Sequence, residues 1–232
     1  DAGYTPLHLA ARHGHLPQIP PALLSRENLL VRSNSGYTPL HMAASGGALG
    51  QLPAGLLGTD LVLTRTDSGN TLLHEAAEQG TLDRFPANFL TRETLATTNA
   101  SGETVLHVAV FNGHLDQVPR SLLTAESLLT KTANHDTCLH AAAISGHLDQ
   151  IPPEVLTHDN LVLPSKSGHT PIHAAAEAGY LRQIPRDRLT VDLLISRNEF
   201  GDTPLHAAAV EGHLKDIPRE FLNHATLMMR AR

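Results

Sequence analysis

One short phrase recurs seven times along this chain at 33-residue intervals: TPLH at Thr5 to His8 and Thr38 to His41, TLLH at Thr71 to His74, TVLH at Thr104 to His107, TCLH at Thr137 to His140, TPIH at Thr170 to His173 and TPLH at Thr203 to His206. A chain of this kind folds as stacked copies of a unit too small to bury its own apolar face, so each copy needs its neighbours. Seven units account for 231 of the 232 residues, with boundaries at 1–33, 34–66, 67–99, 100–132, 133–165, 166–198 and 199–231. Neither a composition break nor a Pro/Gly/Ser-rich hinge interrupts the period, and the expectation is a single array over 1–232. Function is then sought along an extended surface.

Within a unit the local signals read in order. The threonine is a helix N-cap, and Pro6, Pro39, Pro171 and Pro204 take the first helical position behind it. A glycine nine residues after the threonine, from Gly14 to Gly212, marks the helix end, where a left-handed residue costs nothing sterically. A leucine follows each glycine, then an apolar residue and a proline at Pro20, Pro53, Pro86, Pro119, Pro152, Pro185 and Pro218. Proline lacks a donor and disfavours helix in the residue before it. The expectation is a short helical turn from the leucine, then a restart with proline in its first turn that carries a pair such as Leu122 and Leu123 into the core. A second cap (Ser25, Thr91, Thr124, Thr157, Thr190) precedes an acid two residues on, which predicts one further turn and then an extended stretch leading to the next unit.

Composition narrows the function classes. Apolar residues make up 41% and aromatics only 3%, so leucine and alanine build the interior. The net charge is -6, and only three of the seventeen basic residues are lysines, which leaves no basic stripe for a phosphate backbone and argues against nucleic acid. One cysteine, Cys138, excludes an internal disulfide and suits a reducing, intracellular and cytoplasmic setting. No apolar run has the length of a membrane span, and the chain opens inside a repeat without a leader. A monomer that avoids membranes is expected.

The pattern G-x-T-P-L-H-x-A-A-x-x-G-H-L at Gly3 to Leu16 and Gly201 to Leu214 resembles the ankyrin repeat, and the resemblance runs through all seven units. It implies an all-α fold, an ankyrin-like helical solenoid of seven stacked repeats with finger-like connecting turns. Short first helices would line its concave side and longer second helices its convex side. It also implies a non-enzymatic protein-binding scaffold without a cofactor, whose partner protein is expected along the concave face. Departures are evident: proline interrupts the second helix, a capped acid replaces the usual Gly-Ala-Asp, and His135 stands where Gly36, Gly69 and Gly102 stand, so the turn entering the fifth unit is expected to be strained or rearranged.

Sixteen histidines raise the question of metal, but seven belong to the repeated phrase, and helices of adjacent units lie roughly 8 to 10 Å apart. One zinc holds its nitrogens at about 2 Å, so consecutive copies do not share an ion. His13 and His15 supply only two ligands. Cys138, His140 and Asp136 write a nucleophile and base on paper, yet residues two apart on a helix do not face each other, and Cys138 fills the slot of Pro6. No catalytic residue and no metal site is assigned.

By the resemblance, recognition falls to positions around the turn glycine and before the helix-ending glycine: Tyr4, Arg12, Tyr37, Glu78, Glu103, Phe111, Asn112, Asp136, Ile144, His169, Glu177, Phe200 and Val210. Most are polar. Phe111 and Ile144, with Val210 at the same position further on, are apolar and read either as a locally repacked helix pair or as exposed anchors for a protein partner whose basic residues flank an apolar side chain. The rival reading is a spacer or substrate-recognition appendage of a larger protein, because Leu16, Ile19, Leu227, Met228 and Met229 read like interior units.

Overall fold

The computed structural model describes residues 2–230. Among them regular structure is helical, save one isolated antiparallel bridge between Thr98 and Thr104. Each unit opens with a two-turn helix and closes with a one-turn helix. In chain order these are α1 (Pro6–Arg12), α2 (Arg26–Leu29), α3 (Pro39–Ser45), α4 (Thr59–Val62), α5 (Leu72–Gln79), α6 (Arg92–Leu95) and α7 (Val105–Phe111). They continue as α8 (Ala125–Leu128), α9 (Cys138–Ser145), α10 (His158–Leu161), α11 (Pro171–Ala178), α12 (Val191–Leu194), α13 (Pro204–Val210) and α14 (His224–Leu227).

The caps act as read. Every framework threonine is extended, and the glycine after each first helix is left-handed, as at Gly80 with φ 68° and Gly146 with φ 79°. At the second cap the Ser25, Thr91, Thr124, Thr157 and Thr190 side chains accept from the amide three residues on, which satisfies a donor that so short a helix otherwise leaves orphaned.

Between the two helices the chain departs from the expected plan. A 3-10 turn runs from the leucine in each unit, as at Leu16–Gln18 and Leu148–Gln150, but the proline after it is extended. Pro20, Pro86 and Pro218 have ψ of 131°, 128° and 133°, so each stands ahead of the next 3-10 turn and not inside it. The long second helix that the resemblance implies is therefore replaced by short turns and a four-residue helix such as α2. With φ fixed and no N–H, each proline breaks the hydrogen-bond ladder at the middle of the segment. Leu122 and Leu123 are half-buried, a correction to their expected place in the core, whereas Val155 and Leu156 are buried.

The chain divides after Leu122 into two compact units. In the first, α1, α3, α5 and α7 pack side by side in chain order around Leu16, Leu40, Leu73 and Leu106. In the second, α9, α11 and α13 do the same around Leu139, Leu148, Ile172 and Leu181.

The connecting fingers are tight turns. Ser33, Thr66, Asn99, Thr132, Ser165 and Asn198 donate their amides to the carbonyl four residues on, at 2.7 to 3.0 Å, and accept from the amide three residues on at 2.9 to 3.1 Å. That second donor is a glycine with φ between 74° and 85° in Gly36, Gly69, Gly102, Gly168 and Gly201. His135 occupies the same left-handed region at φ 63° and donates to Thr132 at 2.9 Å. The turn is thus not rearranged; the imidazole-bearing residue takes the glycine conformation and bears its strain.

Candidate interaction surfaces

The repeated histidine is committed to structure. In each of the seven units the Thr hydroxyl lies 2.7 to 3.0 Å from His Nδ1. Because the Thr amide also donates to Nδ1, as in Thr38 to His41 at 3.2 Å, that nitrogen is the acceptor and Nε2 carries the proton. Nε2 then donates across the stack: His8 to the Tyr37 carbonyl at 3.1 Å, His74 to Glu103 at 3.1 Å, His140 to His169 at 3.3 Å and His173 to Asp202 at 3.0 Å. Burial pushes His41 and His74 down to about 4 and lowers His140 and His173 as well, so these rings are neutral. Among the described residues no group of three or more His, Cys, Asp or Glu is arranged to hold a metal ion.

The Cys138 pairing fails on geometry. Its side chain is fully buried, burial pushes the thiol strongly up, and both ring nitrogens of His140 are engaged by Thr137 and His169. A protonated thiol with no free base beside it is not a nucleophile.

In the first unit the candidate residues lie where the fingers meet the first helices. Tyr4, Arg12 and Glu78 are exposed, Tyr37, Glu103 and Asn112 are half-buried, and Phe111 at the last position of α7 is 52% exposed. Asn112 is spent locally, donating to the Val108 carbonyl at 2.9 Å as the helix C-cap. Glu103 accepts from Asn99 Nδ2 at 2.8 Å. The same Asn99 amide reaches Asn70 Oδ1 at 3.1 Å, and Asn70 Nδ2 reaches the buried Glu75 at 3.0 Å. Glu75 did not figure among the sequence candidates, although the signal existed: it is a carboxylate in a helix slot that Leu9, Met42 and Val108 fill elsewhere.

The second unit holds Asp136, Ile144, His169, Glu177, Phe200 and Val210. Ile144 near the end of α9 is 57% exposed and Asp136 is half-buried. Three of the other four, His169, Glu177 and Val210, form part of the lining of a groove of about 190 Å³ between α11, α13 and the fingers before them, and Phe200 lies outside the lining. The Phe200 ring meets His169 edge-on, centroids 6.1 Å apart. Asn198, Asp202, His206 and Glu211 also line this groove, so three carboxylates share the lining with the aliphatic side chains of Ala207 and Val210. Val210 is 81% exposed and Phe200 60%.

The ankyrin repeat family model matches residues 2–34 and 200–230. A solved structure entitled "Crystal structure of the ankyrin repeat domain of Bcl-3: a unique member of the IkappaB protein family" superposes with a TM-score of 0.58 at 26% identity, covering 93% of this chain and 100% of that one. The chain carries ankyrin repeats at both matched segments and shares its fold with an ankyrin-repeat domain. No curated protein matches it. Ankyrin repeats as a family are protein-interaction modules and not catalysts. Among the described residues of this chain, no helix is long and apolar enough to cross a membrane. The segment between the two helices is broken at the prolines, while the capped first helices and the hydrogen-bonded finger turns that carry the candidate surface recur from repeat to repeat.

Proposed function

We propose that this protein is a binding module whose α11–α13 groove receives an apolar side chain of a partner protein flanked by lysine or arginine. The observation that carries the reading is Val210, an aliphatic side chain 81% exposed beside a groove edged by Glu177, Asp202 and Glu211. An exposed apolar residue with a polar rim is the pattern of an interaction patch, and a rim of one sign selects partners of the opposite sign. Phe200, 60% exposed next to His169, extends the apolar area along the finger. Phe111 and Ile144 offer further anchors, each on its own unit.

The test is fluorescence polarisation with a peptide library in which one aliphatic or aromatic anchor is flanked by two basic residues, compared with the same anchors flanked by acids. Basic-flanked peptides should bind, lose affinity with added salt, and lose at least about tenfold on Val210→Asp, as removal of an anchor does. Preference for acidic flanks, or binding indifferent to Val210→Asp, overturns the reading.

A further inference from the structure

Six of the seven first helices place an apolar residue one position after the framework histidine: Leu9, Met42, Val108, Ala141, Ala174 and Ala207. The seventh places Glu75 there, on α5 of the first unit, with only 4% of its surface exposed. Its carboxylate accepts from Asn70 Nδ2 at 3.0 Å and is hydrogen-bonded to the Tyr37 side chain from the finger ahead of α3. Asn70 continues to Asn99 at 3.1 Å, and Asn99 to the Glu103 carboxylate at 2.8 Å. One buried acid thereby ties together residues from three successive fingers, two of which, Tyr37 and Glu103, belong to the candidate surface.

We propose that Glu75 is a proton-operated latch on this surface: protonated, it stays buried and braces Tyr37 and Asn70; ionised, it gives its proton to solvent, turns toward water and releases them. The titratable groups acting on it are Tyr37 and, one turn along α5, Glu78. Neither supplies positive charge. The arginines that act on the neighbouring His41 and His74 are committed elsewhere: Arg65 donates to the Gly69 and Thr98 carbonyls, and Arg32 donates to the Arg65 carbonyl and pairs with Asp67. His41 from α3 and His74 from α5 are held neutral. An ionised carboxylate left at this depth without a counter-charge is expensive, which is the force that opens the latch. Burial, then the Glu78 charge, pushes Glu75 up to about 7, which places the transition near neutrality. Tyr37 is pushed up to about 12 by burial and by the charges of Glu75 and Glu78, so it remains a hydroxyl throughout.

The test is a carbon-detected NMR titration of the full chain, following the Glu75 carboxyl and the Tyr37 ring from pH 5 to pH 9. Both should move together with a midpoint near 7. In Glu75→Gln the Tyr37 step should vanish, and in Glu78→Gln the Glu75 midpoint should fall. Should Glu75→Gln fail to fold, Tyr37→Phe serves instead: without the hydroxyl that the buried, protonated acid braces, the latch opens more readily and the Glu75 midpoint should fall. A Glu75 midpoint below 5, a Tyr37 step surviving in Glu75→Gln, or an unshifted midpoint in Tyr37→Phe would overturn the proposal. No partner is needed, so the result is independent of whether the groove on the second unit binds peptides.

Discussion

Thr38 and His41 close on each other across one helical turn: His41 Nδ1 accepts from the Thr38 amide at 3.2 Å and hydroxyl at 2.9 Å, and the His41 amide returns a bond to the hydroxyl at 3.4 Å. From the other edge of the ring, Nε2 lies 3.0 Å from the Thr64 carbonyl and 3.3 Å from that of Asn70 in the next repeat. The side chain is thus both a cap and a rivet between units. His41→Ala leaves a buried amide and a buried carbonyl without this partner and should cost about 3 kcal/mol, read from the urea midpoint. A cost below about 1 kcal/mol would mean that water replaces the ring.

Acid should weaken the fold through the same rings. His41 and His74 are lowered from 6.5 to about 4, so the unfolded chain binds protons that the native state refuses. The stability they contribute is complete above pH 6.5 and is lost as pH falls through 4, at most about 3 kcal/mol for each ring. Glu75 acts in the opposite sense. Raised from 4.5 to about 7, its contribution is complete below 4.5 and is lost as pH rises through 7. Urea midpoints between pH 7 and pH 4.5 should therefore fall more steeply in Glu75→Gln than in the parent chain. Parallel profiles would contradict the assignment.

His135 pays for a glycine conformation at φ 63°. A left-handed non-glycine residue costs roughly 1 to 2 kcal/mol, part of which glycine returns through its more disordered unfolded state. His135→Gly should raise stability by about 1 kcal/mol in calorimetry. An unchanged or lower melting temperature would show that the imidazole makes a compensating contact.

Gly46, at the C-cap of α3, has no such need of a positive φ, since its own is -82°. Its constraint is contact: a Cβ built there stands 2.0 Å from the Arg12 carbonyl oxygen at the end of α1. The ends of α1 and α3 meet backbone to backbone, and Gly46→Ala must push them apart at a cost of about 2 kcal/mol. Retention of parental stability would mean that this seam yields freely.

Phe111 and Ile144, 52% and 57% exposed, contribute little to their own cores. Truncating either to alanine should leave circular dichroism and melting nearly unchanged. If they serve as anchors, each truncation should weaken binding of a protein ligand by on the order of 2 kcal/mol in calorimetric titration. Unchanged affinity in the double variant would confine binding to the groove lined by Val210.

The helices were legible because their signals are local. Thr38 at an N-cap, Pro39 behind it and Gly47 past the end act through atoms within one or two turns, and repetition at 33 residues multiplies the signal. The interrupted second segment was legible for the same reason, since a proline acts on its own backbone; that each proline lies ahead of its turn depended on ψ, which proline does not fix. Tertiary structure decided what depends on neighbours. Which of the two expected outcomes His135 took, strain or rearrangement, turned on the bond to Thr132, and whether Leu122 reached the core turned on how far a broken segment tucks in, where the outcome differed from the sequence expectation. Glu75 is the sharpest case. Its burial, its bonds to Tyr37 and Asn70 and its shifted titration all arise from residues 5 and 38 positions before it, brought together only because adjacent first helices pack side by side. Local chemistry wrote the helices into the sequence, while desolvation and charge at the surface are set by which repeat lies alongside.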